Sequence, residues 1–339
     1  MTNAVIFGCA GRALTAREKA FYREADPWGF ILFGRNIGSP REVRALVRSL
    51  RDSVGRDDTP ILIDQEGGRV ARLGPPQWRR FPPGRAYAQA AGAGEAGARD
   101  LAWLGGRLIA HDLNVLGISV DCAPVLDVPS PGAHDVIGDR AFAESPERVA
   151  ALGRAFAQGL MAGAVLPIVK HTPGHGRAAS DSHLSLPVVT ASLEHLEARD
   201  FAPFKALADL PMAMTAHVVY AAIDAERPAT TSPDVIGPVI RGGIGFDGLL
   251  ISDDLSMQAP SGGLPQRAAD SLAAGCDIVL HCNGDMAEMA DVAAGARLLE
   301  CRAAERAARA LAAIAPPRPF DADRARRLFD AAFGERFAA

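Results

Sequence analysis

The chain has 339 residues, of which 48% are hydrophobic and 22% are charged, so a large core is available and the composition argues against global disorder. The formal net charge of −4 argues against a nucleic-acid partner, because phosphate binding needs a concentrated basic surface. The five cysteines are odd in number and show no CxxC spacing, which favours free thiols in a reducing compartment. The N-terminus lacks the basic segment of a secretory signal, and no apolar run is long enough to span a bilayer, so we expect a cytoplasmic protein.

Short apolar runs alternate with helical patterns along the chain. The runs are nearly continuous in apolar residues, as expected for strands that are covered on both faces of a parallel sheet. They predict eight strands, at residues 4–7, 29–33, 60–64, 118–123, 166–170, 212–217, 248–253 and 277–281. The helical patterns between and after them include residues 41–54, 93–113, 146–162, 193–208, 265–274 and 286–313.

Eight strands that alternate with helices predict the α/β class and a single (β/α)₈ barrel. The alternative is an open doubly wound sheet, which gathers its ligand at one switch point. No GxGxxG motif opens a helix after the first strand, and polar motifs recur at many strand ends, so we favour the barrel. No composition break divides the chain. We therefore expect one domain over residues 1–339, with a terminal helix at 321–333 packed on the barrel exterior.

Polar residues concentrate at the predicted strand ends, which in a barrel meet on the carboxyl face, where active sites lie. The seventh strand ends in Asp253 and Asp254. Because side chains alternate along a strand, we expect only one of these aspartates to point into the barrel as a catalytic candidate. The other would brace a neighbouring loop or cap the next helix. The alternative, that both are helix caps, is opposed by the basic residues and histidines at the neighbouring strand ends.

A loop after the fifth strand contains Asp181 and His183. Because one residue separates them, a turn can bring the carboxylate within hydrogen-bond range of the imidazole. A carboxylate on one ring nitrogen fixes the tautomer and raises the basicity of the ring, which suits proton transfer near neutral pH. The alternative is a solvated pair in a surface loop.

The fifth strand ends in Lys170 and His171. An unpaired buried ammonium is costly, so we expect a substrate hydroxyl or a carboxylate beside Lys170. Arg140 follows Gly138 in a strand-end loop, where it is either a surface cation or a bidentate donor to sugar hydroxyls. His175 lies between two glycines and is either a structural residue of a tight turn or part of the site.

These polar segments form seven motifs in a fixed order. They are DQEGGRV at 64–70, VDCAPVLD at 120–127, VIGDRAF at 136–142, KHTPGHG at 170–176, DSH at 181–183, MTAH at 214–217 and SDDLSM at 252–257. With these motifs, which cover most of the chain, the sequence resembles the bacterial β-N-acetylhexosaminidases of glycoside hydrolase family 3. One departure is Thr172, where the family usually has Phe, which affects packing under the loop but no proton-transfer residue.

The resemblance implies a single barrel with a long catalytic loop after strand 5 and a two-step retaining mechanism without a metal or other cofactor. It implies that Asp253 is the nucleophile and that His183, oriented by Asp181, is the acid/base. The positions that match substrate-binding residues of the family are Asp64, Arg72, Arg140, Lys170 and His171.

The resemblance also implies a substrate. Single-domain members of the family release N-acetylglucosamine from its β-1,4 link to 1,6-anhydro-N-acetylmuramic acid in the cytoplasm, during peptidoglycan recycling. Many family 3 β-glucosidases carry a second domain with a carboxylate acid/base. This chain has no room for that domain, and the Asp-Ser-His loop fills its role, so we favour an N-acetylhexosaminidase over a broader β-glucosidase. We expect a small carbohydrate or muropeptide substrate, no nucleic-acid or membrane partner, and a monomer.

Two functions of other classes are compatible with a barrel. A metal-dependent hydrolase needs three or four converging ligands, and neither an HxH motif on the first strand nor an aspartate signature on the last strand is present. A sugar-binding or scaffold barrel without catalysis would keep its binding and its biological effect after the substitution Asp253→Ala.

Overall fold

The computed structural model of the protein describes residues 2–90, 94–178, 186–257 and 261–334. Within these residues, eight parallel strands pair in chain order, and the last pairs with the first to close a barrel. The predicted α/β class and (β/α)₈ barrel are therefore confirmed. The strands are β1 Asn3–Phe7, β2 Pro27–Leu32, β3 Ile61–Ile63, β4 Val120–Asp121, β5 Leu166–Thr172, β6 Met212–Thr215, β7 Leu249–Asp254 and β8 Ile278–His281.

The strands are apolar on both faces because both faces are buried. In β5, Leu166 and Ile168 pack in the barrel interior, whereas Val169 packs against the surrounding helices. This alternation separates apolar residues inside the barrel from those between the barrel and its helices, which form two large clusters. The barrel interior is therefore a packed core that supports the polar residues at its carboxyl end.

Helices surround the barrel, and most begin and end where the sequence provides caps. Helix α2 starts with a capping box of Ser39 and Glu42 and stops at Gly55, whose φ is +67°. The α-helices are α1 Ala16–Ala25, α2 Pro40–Val54, α3 Gly84–Gln89, α4 Gly94–Asn114, α5 Pro146–Ala162, α6 Leu193–His195, α7 Ala202–Ala206, α8 Leu264–Ala274, α9 Met286–Gly295, α10 Cys301–Ala312 and α11 Ala322–Phe333.

Helices α4 and α5 approach each other closely because glycines face the opposing backbone. A Cβ atom on Gly106 would lie 2.2 Å from the carbonyl oxygen of Phe156. A Cβ atom on Gly159 would lie 2.1 Å from the carbonyl oxygen of Trp103. Any side chain at either glycine would separate the two helices.

The terminal helix α11 packs on the outside of the barrel, as the sequence predicts. Phe329 is fully buried, with its ring centroid 5.9 Å from that of Phe81 and 6.3 Å from that of Tyr87. Arg79 forms an ion pair with Asp330 at 2.5 Å. These contacts attach the last described helix to α3 and to the segment before it.

Two predicted helices differ from the structure. The helix predicted at 286–313 is two helices, because the backbone at 297–299 hydrogen-bonds to the backbone at 2–4 beside β1. The helix predicted at 193–208 is broken by a π-helical turn, Leu196–Asp200, and ends at Ala206. Tertiary backbone contacts in the first case and local hydrogen bonding in the second override a continuous helical pattern.

The carboxyl end of the barrel carries short additional elements. A hairpin of Gln65–Gly67 and Val70–Ala71 follows β3, and Val188–Val189 pairs with Val219–Tyr220. The loop after β5 is described up to residue 178 and again from residue 186. In the described ranges, no helix combines the length and the apolar character that crossing a bilayer requires.

Candidate active site

The predicted site residues of the described ranges meet in one cavity at the carboxyl ends of the strands. The cavity has a volume of about 160 Å³. Asp181 and His183 lie outside the described residues. Glu66 and Phe33, which the sequence did not assign to substrate binding, also line the cavity. The six predicted residues that line it are Asp64, Arg72, Arg140, Lys170, His171 and Asp253.

Five charged side chains form a continuous chain of ion pairs in the cavity wall. Asp64 contacts Arg72 and Lys170, each at 2.9 Å. Lys170 also contacts Glu66 at 2.6 Å, and Glu66 is held by two parallel bonds from Arg140, at 2.8 and 2.9 Å. The carboxylate partner expected for Lys170 is present. Arg140 makes bidentate hydrogen bonds, as expected, but it makes them to the carboxylate of Glu66.

The ion pairs keep these side chains charged. Burial opposes ionisation of Asp64, but Lys170 and Arg72 hold its pKa well below the usual range. Burial likewise opposes ionisation of Glu66, and Arg140 and Lys170 hold its pKa at about 2. The two carboxylates raise the pKa of Lys170 well above its ordinary value, despite burial. At neutral pH the wall therefore presents three cations and two anions in fixed positions.

A buried carboxylate orients His171. Asp127 lies 2.7 Å from Nδ1 of His171 and accepts the backbone N–H groups of His171 and His175, at 3.2 and 2.7 Å. Burial opposes ionisation of Asp127, but His171 and His175 lower its pKa to about 2. Because an ionised carboxylate only accepts, Nδ1 of His171 carries the hydrogen. Asp127 ends the VDCAPVLD motif in the sequence, but only the fold shows that its partner is His171.

His175 supports His171 from the adjoining turn. Its ring lies edge-on to that of His171, with centroids 5.6 Å apart, and only 2% of the residue is exposed. Burial and the neighbouring His171 lower the pKa of His175 to about 4, so its ring is neutral near pH 7. His175 is thus a buried, neutral ring beside His171, and it also borders the cavity.

Asp253 and Asp254 both border the cavity, contrary to the expected alternation, because the register of β7 against β8 shifts between Ile251 and Asp254. The Asp254 carboxylate accepts the N–H and hydroxyl of Ser256, at 3.0 and 2.6 Å, and the N–H of Cys282 at 3.1 Å. It braces a neighbouring loop, as expected for one of the two aspartates. Among the described residues, Asp253 accepts a single hydrogen bond, from the Asp254 N–H at 2.8 Å.

Asp253 is ionised at neutral pH. Burial raises its pKa, but His217, His171, the Asp254 N–H and Lys170 together lower the pKa below its usual value. An ionised carboxylate that keeps oxygen lone pairs unused by the protein can attack an electrophilic carbon. Asp253 therefore has the charge and the access that a nucleophile needs.

His217 fixes the strand end that carries Asp253. Its Nε2 lies 3.0 Å from the carbonyl oxygen of Asp254, and its Nδ1 lies 2.8 Å from the hydroxyl of Thr230. Burial lowers the pKa of His217. The neutral ring therefore donates from Nε2 to the carbonyl and accepts at Nδ1 from the hydroxyl. This histidine orients the backbone and does not transfer protons with substrate.

A metal-dependent hydrolase would need three or four ligands that converge on one ion. In the part of the chain that the structure describes, no three His, Cys, Asp or Glu side chains are grouped as a metal ion would require. The aspartates that line the cavity are instead bonded to lysine, arginine, a serine hydroxyl or backbone N–H groups.

Ionised carboxylates among cationic and imidazole side chains at the carboxyl face of a (β/α)₈ barrel have the position and the charges of an enzyme active site. Residues 19–313 match the profile described as the glycosyl hydrolase family 3 N-terminal domain, and the chain belongs to this family. The protein is thus a glycoside hydrolase, and the predicted family is confirmed.

Relatives of the chain carry consistent names. Over 283 residues, which cover 82% of this chain and 82% of the relative, it is 44% identical to a β-hexosaminidase of Methylococcus capsulatus. It is 41% identical over 290 residues to a β-hexosaminidase of Alkalilimnicola ehrlichii, covering 84% of this chain and 81% of the relative. The solved structure of native NagZ from Neisseria gonorrhoeae is 33% identical and has a TM-score of 0.86, covering 100% of this chain and 98% of that chain.

Proposed function

We propose that the protein is a retaining exo-β-N-acetylglucosaminidase, that residues 1–339 act as one barrel domain, and that Asp253 is its nucleophile. The observation that carries the proposal is the ionised, incompletely hydrogen-bonded carboxylate of Asp253 in a cavity walled by Asp64, Lys170 and Arg140. The natural substrate is a peptidoglycan fragment with terminal N-acetylglucosamine β-1,4-linked to 1,6-anhydro-N-acetylmuramic acid. The β-hexosaminidase names of the relatives support the substrate class.

The reaction has two steps. In the first, an oxygen of Asp253 attacks the anomeric carbon, and the bond from that carbon to the glycosidic oxygen breaks while His183 gives its proton to that oxygen. In the second, water attacks the same carbon, its proton passes to His183, and Asp253 leaves as a carboxylate. Asp181 stabilises the imidazolium. These two loop residues are assigned by their match to the family motif.

Ring hydroxyls of the sugar bind to the charged wall. Charge-assisted hydrogen bonds are stronger than neutral ones and hold a polar ring in a defined orientation. The wall offers N–H donors from Arg72, Lys170 and Arg140 and a partly exposed acceptor, Asp64. His171, with its hydrogen fixed on Nδ1 by Asp127, presents a defined ring orientation to the cavity.

The size of the cavity supports exo cleavage. Its volume of about 160 Å³ is below the roughly 300 Å³ at which pockets for drug-sized ligands begin. A cavity of this size suits one terminal sugar unit better than the interior of a long polysaccharide chain. The proposal therefore predicts that the substrate is a soluble fragment in the cytoplasm. It also predicts that the enzyme is a monomer and needs no cofactor.

The purified enzyme can test the proposal directly. We expect it to hydrolyse 4-nitrophenyl N-acetyl-β-glucosaminide and to leave the corresponding β-glucoside nearly untouched, and we expect activity to survive a metal chelator. It should also release N-acetylglucosamine from a 1,6-anhydro-muropeptide. Comparable rates on the glucoside would make the enzyme a broader β-glycosidase, and inactivity on the muropeptide would contradict the recycling role.

A further inference from the structure

The hairpin after β3 contributes Glu66 to the charged wall of the cavity. Glu66, in the strand Gln65–Gly67, is 8% exposed and borders the cavity. Its neighbour Gln65 is fixed at both ends, because its N–H donates to Asp121 at 2.9 Å and its side-chain oxygen accepts the N–H of Leu73 at 2.9 Å. Glu66 therefore projects from a backbone segment that the barrel holds in place.

The cations bound by Glu66 keep donors that the protein does not use. Lys170 has three N–H groups, and two contact Asp64 and Glu66. Arg140 has five, of which two point to Glu66 and one to the carbonyl oxygen of Val136 at 3.1 Å. Within the described residues, one N–H of Lys170 and two of Arg140 remain for a ligand.

The contacts of Glu66 also exclude it as a proton donor. Both of its oxygens accept from Arg140, and one also contacts Lys170 at 2.6 Å. An ionised carboxylate held by two cations has no proton to give to a leaving group at neutral pH. Glu66 is therefore not an alternative to His183 as the acid/base.

The same hairpin also holds the loop from which Arg140 extends. Arg69 contacts Asp139 at 2.6 Å and donates to the carbonyl oxygen of Asp135 at 2.6 Å. The hairpin thus fixes both the backbone near Arg140, through Arg69, and the guanidinium of Arg140, through Glu66.

We infer that Glu66 is a positioning residue, which holds Lys170 and Arg140 where their remaining N–H groups bind the sugar hydroxyls. The inference rests on the proposed function, because it requires that Lys170 and Arg140 bind substrate. Without the Glu66 charge, Lys170 and Arg140 repel each other and move apart. Asp64 pairs with Lys170 and can hold only this one of the two cations in place. Substrate binding and transition-state binding then weaken together.

The test is the isosteric variant Glu66→Gln in the full-length enzyme. We expect its kcat/KM for 4-nitrophenyl N-acetyl-β-glucosaminide to fall roughly 10- to 100-fold and the inhibition constant of N-acetylglucosamine to rise. The loss should be equal for the 4-nitrophenyl glycoside and the phenyl glycoside, a poorer leaving group. A loss confined to the phenyl glycoside would identify Glu66 as a proton donor. Unchanged kinetics would show that Lys170 and Arg140 keep their positions without the Glu66 charge. Either result overturns the inference.

A double-mutant cycle separates this inference from the proposed function. If Lys170→Ala alone has nearly wild-type kcat/KM, the proposed substrate contacts are wrong. If Lys170→Ala is impaired, Glu66→Gln should add much less loss in that background than in the wild type, because both act through one contact. Fully additive losses would overturn the positioning role and leave the proposed function intact.

The matched control is Asp277→Asn. Asp277 is 4% exposed and pairs with Arg241 at 2.7 Å and Arg306 at 3.0 Å, at the start of β8 and away from the cavity. This variant should lower stability without changing the inhibition constant of N-acetylglucosamine. If Glu66→Gln does not fold, Glu66→Asp, which keeps the charge but is one methylene shorter, should show the same kinetic pattern to a smaller degree. An unchanged inhibition constant in Glu66→Asp would then count against the inference.

Discussion

At the scale of single residues, Asp253 and its neighbour Asp254 have the same charge but different surroundings. Asp254 accepts three hydrogen bonds from Ser256 and Cys282, whereas Asp253 accepts one within the described residues. Asp253 therefore keeps more oxygen lone pairs available for attack on a sugar carbon than Asp254 does. The different roles proposed for the two aspartates follow from this difference in hydrogen bonding.

The substitution Asp253→Ala should abolish turnover, with kcat lowered on the order of 10⁴-fold or more, because no covalent intermediate can form. A fluorinated sugar with a good leaving group should trap an adduct on Asp253 of the wild-type enzyme, which peptide mass spectrometry would locate. Circular dichroism should show a folded variant. An adduct on Asp254 would contradict the assignment, and the absence of any adduct would point to assistance by the substrate acetamide.

His183 is tested through the chemistry of the leaving group. A nitrophenolate leaves without protonation and a sugar alkoxide does not, so His183→Ala should reduce cleavage of β-1,4-linked substrates far more than cleavage of aryl glycosides. With aryl substrates the second step should become limiting, and added azide should restore the rate and yield a β-glycosyl azide. Asp181→Ala should show a milder form of this pattern. Equal losses on both substrates without azide rescue would exclude His183 as the acid/base.

At the scale of secondary-structure elements, the sequence predicts the strands better than the helices. Each barrel strand is buried on both faces, so its apolar run is visible without any knowledge of its partners. The helix predicted at 286–313 was wrong because residues 297–299 bond to the chain beside β1, a long-range contact that no local pattern contains. The π-helical turn at Leu196–Asp200 was missed for a related reason, since its residues have ordinary helical composition.

The site shows the same difference between features that local sequence reveals and contacts that only the fold creates. Asp64, Lys170, His171 and Asp253 were predictable because each occurs at the end of an apolar strand, and strand ends of a barrel converge. Their partners were not predictable by spacing alone. Glu66 binds Arg140 across 74 positions of the sequence, and only the closed barrel brings them together. The sequence therefore identified candidate residues, whereas the structure shows which carboxylate orients which cation.

The terminal helix α11 offers a test of packing at this scale. Phe329 is fully buried against Phe81 and Tyr87, whereas Leu328 on the same helix is 55% exposed. Phe329→Ala should lower the free energy of unfolding by about 3–5 kcal/mol, and Leu328→Ala by less than about 0.5 kcal/mol. Urea denaturation of the two variants measures both values. Equal effects would mean that α11 is not held by its aromatic side.

At the scale of the whole molecule, buried carboxylates with lowered pKa values are concentrated at one end of the barrel. Glu66 and Asp127 both have pKa values of about 2, because burial is outweighed by Arg140 and Lys170 in the first case and by the histidines in the second. Their ion pairs join residues that follow β3 and β4 to each other and to Lys170 and His171 near the end of β5. The catalytic end therefore depends on charge, whereas the barrel interior below it depends on apolar packing.

This distribution predicts the response of stability to acid. A carboxyl group whose pKa is lower in the folded state stabilises the fold above its unfolded pKa, and this contribution is lost as the pH falls through the folded value. For Glu66 and Asp127 the loss runs from about pH 4.5 down to about pH 2, at about 2–3 kcal/mol for each group. The free energy of unfolding from urea titrations should therefore fall steeply between about pH 4.5 and pH 2. Asp127→Asn should be less stable than the wild type at pH 7 and should approach it as the pH falls, whereas Asp323→Asn, whose side chain is 81% exposed, should follow the wild-type curve. Parallel curves for Asp127→Asn and the wild type would show that the buried pair does not contribute to acid sensitivity.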